Sequence, residues 1–198
     1  MAWELLEPGG AASFLAPERR IDVIGAEKAD TGMDENTLSE GSFFADQRAA
    51  REAVHLVLPM IEHGMADRSV GESGFLYIVI MDPGLGPQDC DFQHAVLYEH
   101  AVGDRSAWDA DYAKFAQDKA RICWRTGRNG HWIRHIAPHL LRPQDTGIWG
   151  GVCIDGIVVG VSGADPWYDE AFAACIAHSL KAVSKRRALR LAESPALG

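Results

Sequence analysis

Residues 150–170 have the sequence Gly-Gly-Val-Cys-Ile-Asp-Gly-Ile-Val-Val-Gly-Val-Ser-Gly-Ala-Asp-Pro-Trp-Tyr-Asp-Glu, and this stretch decides the fold. The dipeptide Asp155-Gly156 supplies the positive φ angles of a tight primed turn, which predicts a β-hairpin around it. A helix is predicted to begin directly after the second strand, because Asp165 suits an N-cap and Pro166 suits the first helical position. The stretch therefore predicts strand, turn, strand and helix in immediate succession.

Composition narrows the classes of partner. The chain has 198 residues, enough for one domain with its own core, and a formal net charge of −9. This acidic balance argues against non-specific binding to nucleic acid or to anionic membranes, since both favour a basic surface. No apolar run reaches membrane-spanning length, and Met1-Ala2-Trp3-Glu4 lacks the basic start of a signal peptide.

Cysteine usage points to the cytoplasm. The four cysteines lie far apart without a Cys-x-x-Cys pair, as is typical of reduced thiols. There is no Cys-x-x-Cys-His motif, so a covalently attached c-type heme is not expected.

The first residues differ in character from the rest. Residues 1–42 are weakly patterned and rich in Gly, Ala, Glu and Asp. We interpret them as an N-terminal extension that lies over the domain or reaches a neighbouring subunit, and residues 43–198 as the domain. The domain is expected to open with a helix near Ser42, which Pro59 should kink or end early.

Two strands are predicted in the first half of the domain. Residues 75–81 are apolar throughout, as expected for a central strand covered on both faces. A second strand is predicted from Phe92 to Val102, and its period of two would place five side chains on one face. Those five are Phe92, His94, Val96, Tyr98 and His100.

Two helices are predicted after these strands. The first should start near Ser106 and end at Gly127, with Lys119 on an otherwise aromatic and aliphatic face. The last helix should bury one apolar face and carry basic residues at its C-terminal end, where the helix dipole favours cations. Antiparallel strands joined by short turns among these helices indicate the α+β class, a small sheet covered by helices. The buried face of the last helix is predicted to consist of Phe172, Ile176, Leu180 and Val183.

These features resemble the GlcG/HbpS family of heme-binding proteins over roughly residues 44–190. The likeness rests on the glycine-rich hairpin, the Tyr168-Asp169 pair after it, Lys119-Ala120 and a strand that ends at Asp82. A related heme-degrading-domain group is similar in Ala107-Trp108-Asp109. The resemblance implies a profilin-like sandwich, assembly into a homo-oligomer, and binding of heme or a related small anionic ligand. The chain departs from the family in its N-terminal extension, its short last strand and its connector rich in His and Trp.

Lys119 is the first candidate site residue. An ammonium on an apolar helical face must find an anion, reach solvent or lose its proton. It could contact a carboxylate or propionate, act as a base, or lay its stem on the apolar face and extend to water. The resemblance favours a functional role, since Lys119-Ala120 is similar to the family's Lys-Ala pair.

Histidines supply further candidates for catalysis and metal binding. His131 and His135 are spaced i, i+4, so on a helix they would share a face and could serve as acid and base or bind a metal. His94 and His100, on the predicted strand face, are candidate metal ligands. Ordinary surface or hydrogen-bonding histidines are the alternative in each case.

The candidate ligand-binding residues come from several parts of the chain. His55, Tyr98 and His100 could point at a ligand from the first helix and the second strand. Gly150-Gly151 could expose backbone N–H groups to an anion, or could serve only turn and packing needs. Asp169 is a candidate ligand-binding residue because it belongs to the Tyr168-Asp169 pair on which the family resemblance rests.

Three functional hypotheses follow. The first is a cytoplasmic homo-oligomer that binds heme or a related small anionic ligand, with a histidine on the iron and Lys119 on a propionate. The second is a catabolic enzyme acting on a small carboxylated or aromatic metabolite, with Lys119 and a connector histidine as acid and base. The third is a non-catalytic assembly protein.

Overall fold

The computed structural model describes residues 42–66 and 68–192. The N-terminal extension predicted for residues 1–42 lies outside these residues, apart from Ser42. The elements follow the predicted order of helix, two strands, helix, hairpin and helix, with an additional short α-helix before the hairpin and two short 3₁₀ helices. They are α1 (Gln47–Ala66), β1 (Leu76–Met81), β2 (Val96–Val102), α2 (Tyr112–Thr126), α3 (Gly130–Ile136), β3 (Gly151–Ile154), β4 (Ile157–Ser162) and α4 (Pro166–Ala192).

The four strands form one antiparallel sheet in the order β2-β1-β4-β3. Helices α1 and α4 pack on one face of the sheet, and α2 packs on the other. The predicted α+β class, a small antiparallel sheet covered by helices, is therefore confirmed. Within the described residues, no helix combines the length and the apolar character needed to cross a membrane.

The hairpin forms where the sequence predicts it. Asp155 and Gly156 connect β3 to β4 with φ angles of 50° and 84°. Asp tolerates this left-handed backbone better than most residues and Gly adopts it freely, so the turn is local in origin. The next helix begins at Pro166, which places Asp165 directly before its first turn.

The central strand β1 supplies the core on both faces of the sheet. All six of its residues are buried, as predicted. Alternate side chains contact the α1–α4 layer and the α2 layer, as the period of two requires. On α4, the predicted face of Phe172, Ile176, Leu180 and Val183 is buried.

Gly160 in β4 lets α2 approach the sheet closely. A Cβ atom there would lie 2.7 Å from the backbone nitrogen of Ala120 and 2.8 Å from its Cβ. Only glycine fits at this contact without a shift of one element. The close approach sets Lys119, the neighbour of Ala120, over the end of β4.

Strand β2 begins at Val96 rather than at Phe92, so that prediction is wrong at its start. Residues 92–95 form a turn, and Phe92 is buried against Trp124 of α2, with ring centroids 5.9 Å apart. Phe92 lies in this turn, but because it is apolar it fitted the alternating pattern that was used to predict the strand. His94 consequently does not share the strand face of Tyr98 and His100.

Both early helices also start later than predicted. Asp111 caps α2 by accepting a hydrogen bond from the backbone N–H of Lys114 at 3.0 Å, so the helix begins at Tyr112 and not near Ser106. Helix α1 begins at Gln47 because Asp46 caps it, its Oδ1 accepting a hydrogen bond from the backbone N–H of Ala49 at 2.7 Å. It continues past Pro59 to Ala66, so an early end at this proline is wrong.

Candidate functional site

Lys119 lies in a buried ion pair. Its Nζ is 2.7 Å from Oδ2 of Asp169, and the two side chains are 2% and 1% exposed. Nζ also donates to the carbonyl oxygen of Val161 at 3.0 Å and to Oγ of Ser162 at 3.2 Å. These three contacts use all three N–H donors of an ammonium. The prediction that Lys119 points toward the core is confirmed, and the anion that it meets is a carboxylate of the same chain.

Asp169 is held from both sides. Its Oδ1 accepts a hydrogen bond from the backbone N–H of Ala164 at 2.9 Å, in the turn that leads into α4. Burial raises the pKa of Asp169 to about 6, and the neighbouring Lys119 opposes this rise. Burial also lowers the pKa of Lys119. The pair therefore joins α2, β4 and α4 at one buried point.

Gly150 and Gly151 close over this pair instead of opening a site. Gly150 has φ 138°, and a Cβ there would lie 2.6 Å from Cβ of Asp169 and 3.0 Å from Nζ of Lys119. A Cβ on Gly151 would lie 2.9 Å from Sγ of Cys123. The structure thus brings together four of the predicted site residues. Lys119 and Asp169 form the ion pair, and the backbone of the two glycines packs tightly against it. The packing interpretation of the glycines accounts for this geometry.

A small cavity lies beside the ion pair, lined among others by Lys119, Arg134 and Trp149. Its volume of about 20 Å³ is of the order needed for a single water molecule. A metabolite does not fit into it. Lys119 therefore does not face a substrate-sized pocket here.

His131 and His135 come together on α3. Their ring centroids are 4.6 Å apart, and the ring of Trp149 lies 5.4 Å from the first and 5.3 Å from the second. Glu170 of α4 is next to His131, and burial raises the pKa of Glu170. The i, i+4 spacing had predicted the shared face. Trp149 and Glu170 were not predicted, because neither is close to the histidines in sequence.

His55, Tyr98 and His100 form a second cluster, between α1 and β2. The rings of His55 and His100 are 6.5 Å apart, and the hydroxyl of Tyr98 lies 3.4 Å from Nδ1 of His100. The pKa of His100 is lowered mainly by burial and also by the nearby His55. The Arg51 guanidinium lies 5.9 Å from the centre of the Tyr98 ring. Three predicted ligand-binding residues are thus neighbours in space.

His94 lies outside this cluster. Its ring is 71% exposed in a turn, 3.7 Å from the carboxylate of Asp91. The expected pairing of His94 with His100 on one strand face is wrong, because β2 starts after His94. Within residues 42–66 and 68–192, no group of three His, Cys, Asp or Glu side chains is placed to hold a metal ion.

An arginine groove runs between the start of α1 and the end of α4, with a volume of about 880 Å³. Five guanidinium groups and two carboxylates line it, although the whole chain has a net charge of −9. The basic end of α4 was expected from the helix dipole, but its position next to the arginines of α1 was not predicted. The lining residues are Asp46, Arg48, Arg51, Glu52, His55, Leu56, Arg186, Arg187 and Arg190.

The five arginines differ in their pairing. Arg186 pairs with Glu52, and Arg187 pairs with Asp46 at 2.6 Å. The other three form no ion pair with any residue that the structure describes; they are Arg48, Arg51 and Arg190.

No protein-family model matches the chain, and no curated protein matches it either. Membership of the GlcG/HbpS family stays a prediction that rests on the hairpin signature and the Lys119-Ala120 pair.

Proposed function

We propose that this protein binds a small polyanionic ligand in the arginine groove. The observation that carries the proposal is the collection of five guanidinium groups in one groove of an acidic chain. Guanidinium forms bidentate hydrogen bonds to carboxylate and phosphate, and it is the side chain that proteins use most for such anions. The unpaired arginines of α1 and α4 supply the binding groups.

Heme is the member of this ligand class that the GlcG/HbpS resemblance implies, and guanidinium and imidazole groups are both present for its propionates and its iron. Imidazole is an iron ligand, and it must be neutral to bind. The lowered pKa of His100 keeps its ring neutral near pH 7. His55 and Arg51 both line the groove, and the guanidinium of Arg51 also lies over the ring of Tyr98. The guanidinium groups of the groove would hold the propionates of a heme, and His55 or His100 would supply an imidazole for its iron.

The acid–base hypothesis has less support. Lys119 is 2% exposed and its three N–H donors are engaged by protein acceptors. The cavity beside it, at about 20 Å³, does not admit a metabolite. The support for anion binding therefore comes from the groove and not from Lys119, which had been the expected propionate contact.

Titration of the purified protein with hemin tests the proposal, with Soret absorbance as the readout. Saturable binding should weaken at least tenfold in Arg51→Gln, which is about 1.4 kcal/mol. Arg142→Gln, an exposed arginine outside the groove, is the matched control and should bind like the parent. His100→Gln should change the Soret position if this ring is the iron ligand.

Two outcomes would contradict the proposal. One is the absence of saturable binding to the parent protein, for hemin and also for a free polyanion such as citrate or a nucleotide followed by calorimetry. The other is equal affinity of Arg51→Gln and Arg142→Gln, which would move the ligand away from the groove.

A further inference from the structure

A second candidate binding site lies on the exposed side of α3, away from the groove, and its Trp149 also lines the small cavity beside Lys119. His131 and His135 are both exposed, so their ring nitrogens can reach a ligand from solution. Their rings contact each other and Trp149 on the same side of the helix. Neither histidine is used by the proposed function.

The separation of the two rings fits a single metal ion. A transition metal lies about 2.1 Å from an imidazole nitrogen, hence about 3.2 Å from the ring centre. Two such rings in neighbouring positions at about 90° would have centres about 4.5 Å apart, as tetragonal Cu²⁺ requires. The observed separation of the ring centroids is 4.6 Å.

The surroundings hold the pair in place and favour a cation. Trp149 packs at 5.4 Å and 5.3 Å from the two rings, which restricts their rotamers. The carboxylate of Glu170 lies next to His131, and its Oε2 is buried without a hydrogen-bond partner among the described residues. A carboxylate beside His131 favours a cation bound near that ring.

We propose that His131 and His135 form a two-imidazole site for a divalent late transition-metal ion, with Cu²⁺ the tightest of the series. Because the described residues contain no group of three metal-binding side chains, water completes the coordination. Such a site exchanges its metal with solution and does not contribute to folding. It is independent of the anion groove, so either one can be absent while the other remains.

The test uses Cu²⁺ alone, added to the full chain without an affinity tag. Calorimetry gives the stoichiometry, and tryptophan fluorescence reports quenching of Trp149 by the bound ion. One equivalent of Cu²⁺ should bind, and electron paramagnetic resonance should show nitrogen ligands. His131→Asn and His135→Asn should each weaken binding at least tenfold. Both residues are exposed, so circular dichroism and the unfolding midpoint should not change.

The controls separate this site from the other histidines. His139→Asn removes an exposed imidazole from the neighbouring turn of Pro138–Leu140 and should bind Cu²⁺ like the parent. Trp149→Phe should retain the affinity and lose the part of the quenching that comes from Trp149, whereas Trp132, next to His131 on α3, should still be quenched. Equal affinity of the parent and both α3 variants overturns the proposal, as does loss of binding in His100→Gln instead. Absence of a one-to-one Cu²⁺ complex overturns it as well.

Discussion

Replacing Lys119 by Met perturbs the buried ion pair with little change in volume. The thioether side chain keeps most of the apolar stem on α2 and removes the ammonium. Three acceptors then lose their donor: Oδ2 of Asp169, the carbonyl oxygen of Val161 and Oγ of Ser162. Asp169 keeps its backbone hydrogen-bond partners Ala164 and Gly163. We expect the variant to fold with reduced stability.

The size of the loss follows from the burial of the pair. Breaking a buried ion pair by removing one partner costs about 3–5 kcal/mol, because the other charge remains buried. Asp169, whose folded-state pKa is already about 6, can take up a proton once Lys119 is gone. Protonation limits the cost near pH 7, so we expect about 3 kcal/mol. The cost should be smaller at pH 5, where the carboxyl is neutral more of the time.

Urea unfolding at pH 7 measures this loss, and a double-mutant cycle isolates the pair. Lys119→Met and Asp169→Asn, combined in one chain, should lose less stability than the sum of the single variants, by about 2 kcal/mol. Lys114→Met is the matched control, because Lys114 pairs with Asp118 while 65% exposed. Such surface pairs contribute less than about 1 kcal/mol.

Two results would refute this account of Lys119. If Lys119→Met is as mild as Lys114→Met, the ion pair is not a structural link. If Lys119→Met keeps its unfolding midpoint but loses hemin binding tenfold, the ammonium contacts the ligand. In that case the site lies at the hairpin and not in the arginine groove.

Three further predictions concern pH, packing and assembly. Because burial raises the folded-state pKa of Asp169 from 3.8 to about 6, the stability of the parent relative to Asp169→Asn should be highest below pH 3.8. This difference in the free energy of unfolding should fall by about 3 kcal/mol as the pH rises through 6. Urea unfolding of both proteins at pH 4 and pH 7 measures it, and a difference that stays flat or rises with pH contradicts the prediction. Gly160→Ala should cost about 1–3 kcal/mol in thermal or urea unfolding, since its Cβ would meet Ala120 of α2; an unchanged midpoint would mean that the two elements separate easily. Size-exclusion chromatography with light scattering should show a homo-oligomer, as the family resemblance implies and as exposed Leu56 and Met60 on α1 favour, and a monomer at micromolar concentration contradicts it.

Local signals in the sequence account for much of the fold. The Asp155-Gly156 turn, the apolar run of β1 and the periodic face of α4 each depend on residues close together in the chain. The start of β2 was mispredicted because Phe92 is apolar for a non-local reason, its contact with Trp124. The start of α2 was mispredicted because two aspartates, Asp104 and Asp111, cap successive turns, and only the second opens the α-helix.

The candidate sites depend on contacts between distant residues. Sequence reasoning placed Lys119 on a buried face but not its partner Asp169, which is 50 positions away. The arginine groove was missed because it exists only where α1 and α4 meet, for example where Arg187 reaches Asp46 across 141 positions. The pair His131 and His135 was predicted because helical spacing alone brings them together. Spacing within one element is visible in a sequence, whereas a groove between two elements is not.

The central claim, that the arginine groove holds a small anionic ligand, is tested most directly by a crystal structure of the protein grown with saturating hemin. The account predicts the ligand between the start of α1 and the end of α4. Its carboxylates should lie on one or more of Arg48, Arg51 and Arg190, with an imidazole of His55 or His100 toward the iron. A groove whose guanidinium groups contact no ligand, in this crystal and in one grown with saturating citrate, would contradict the claim.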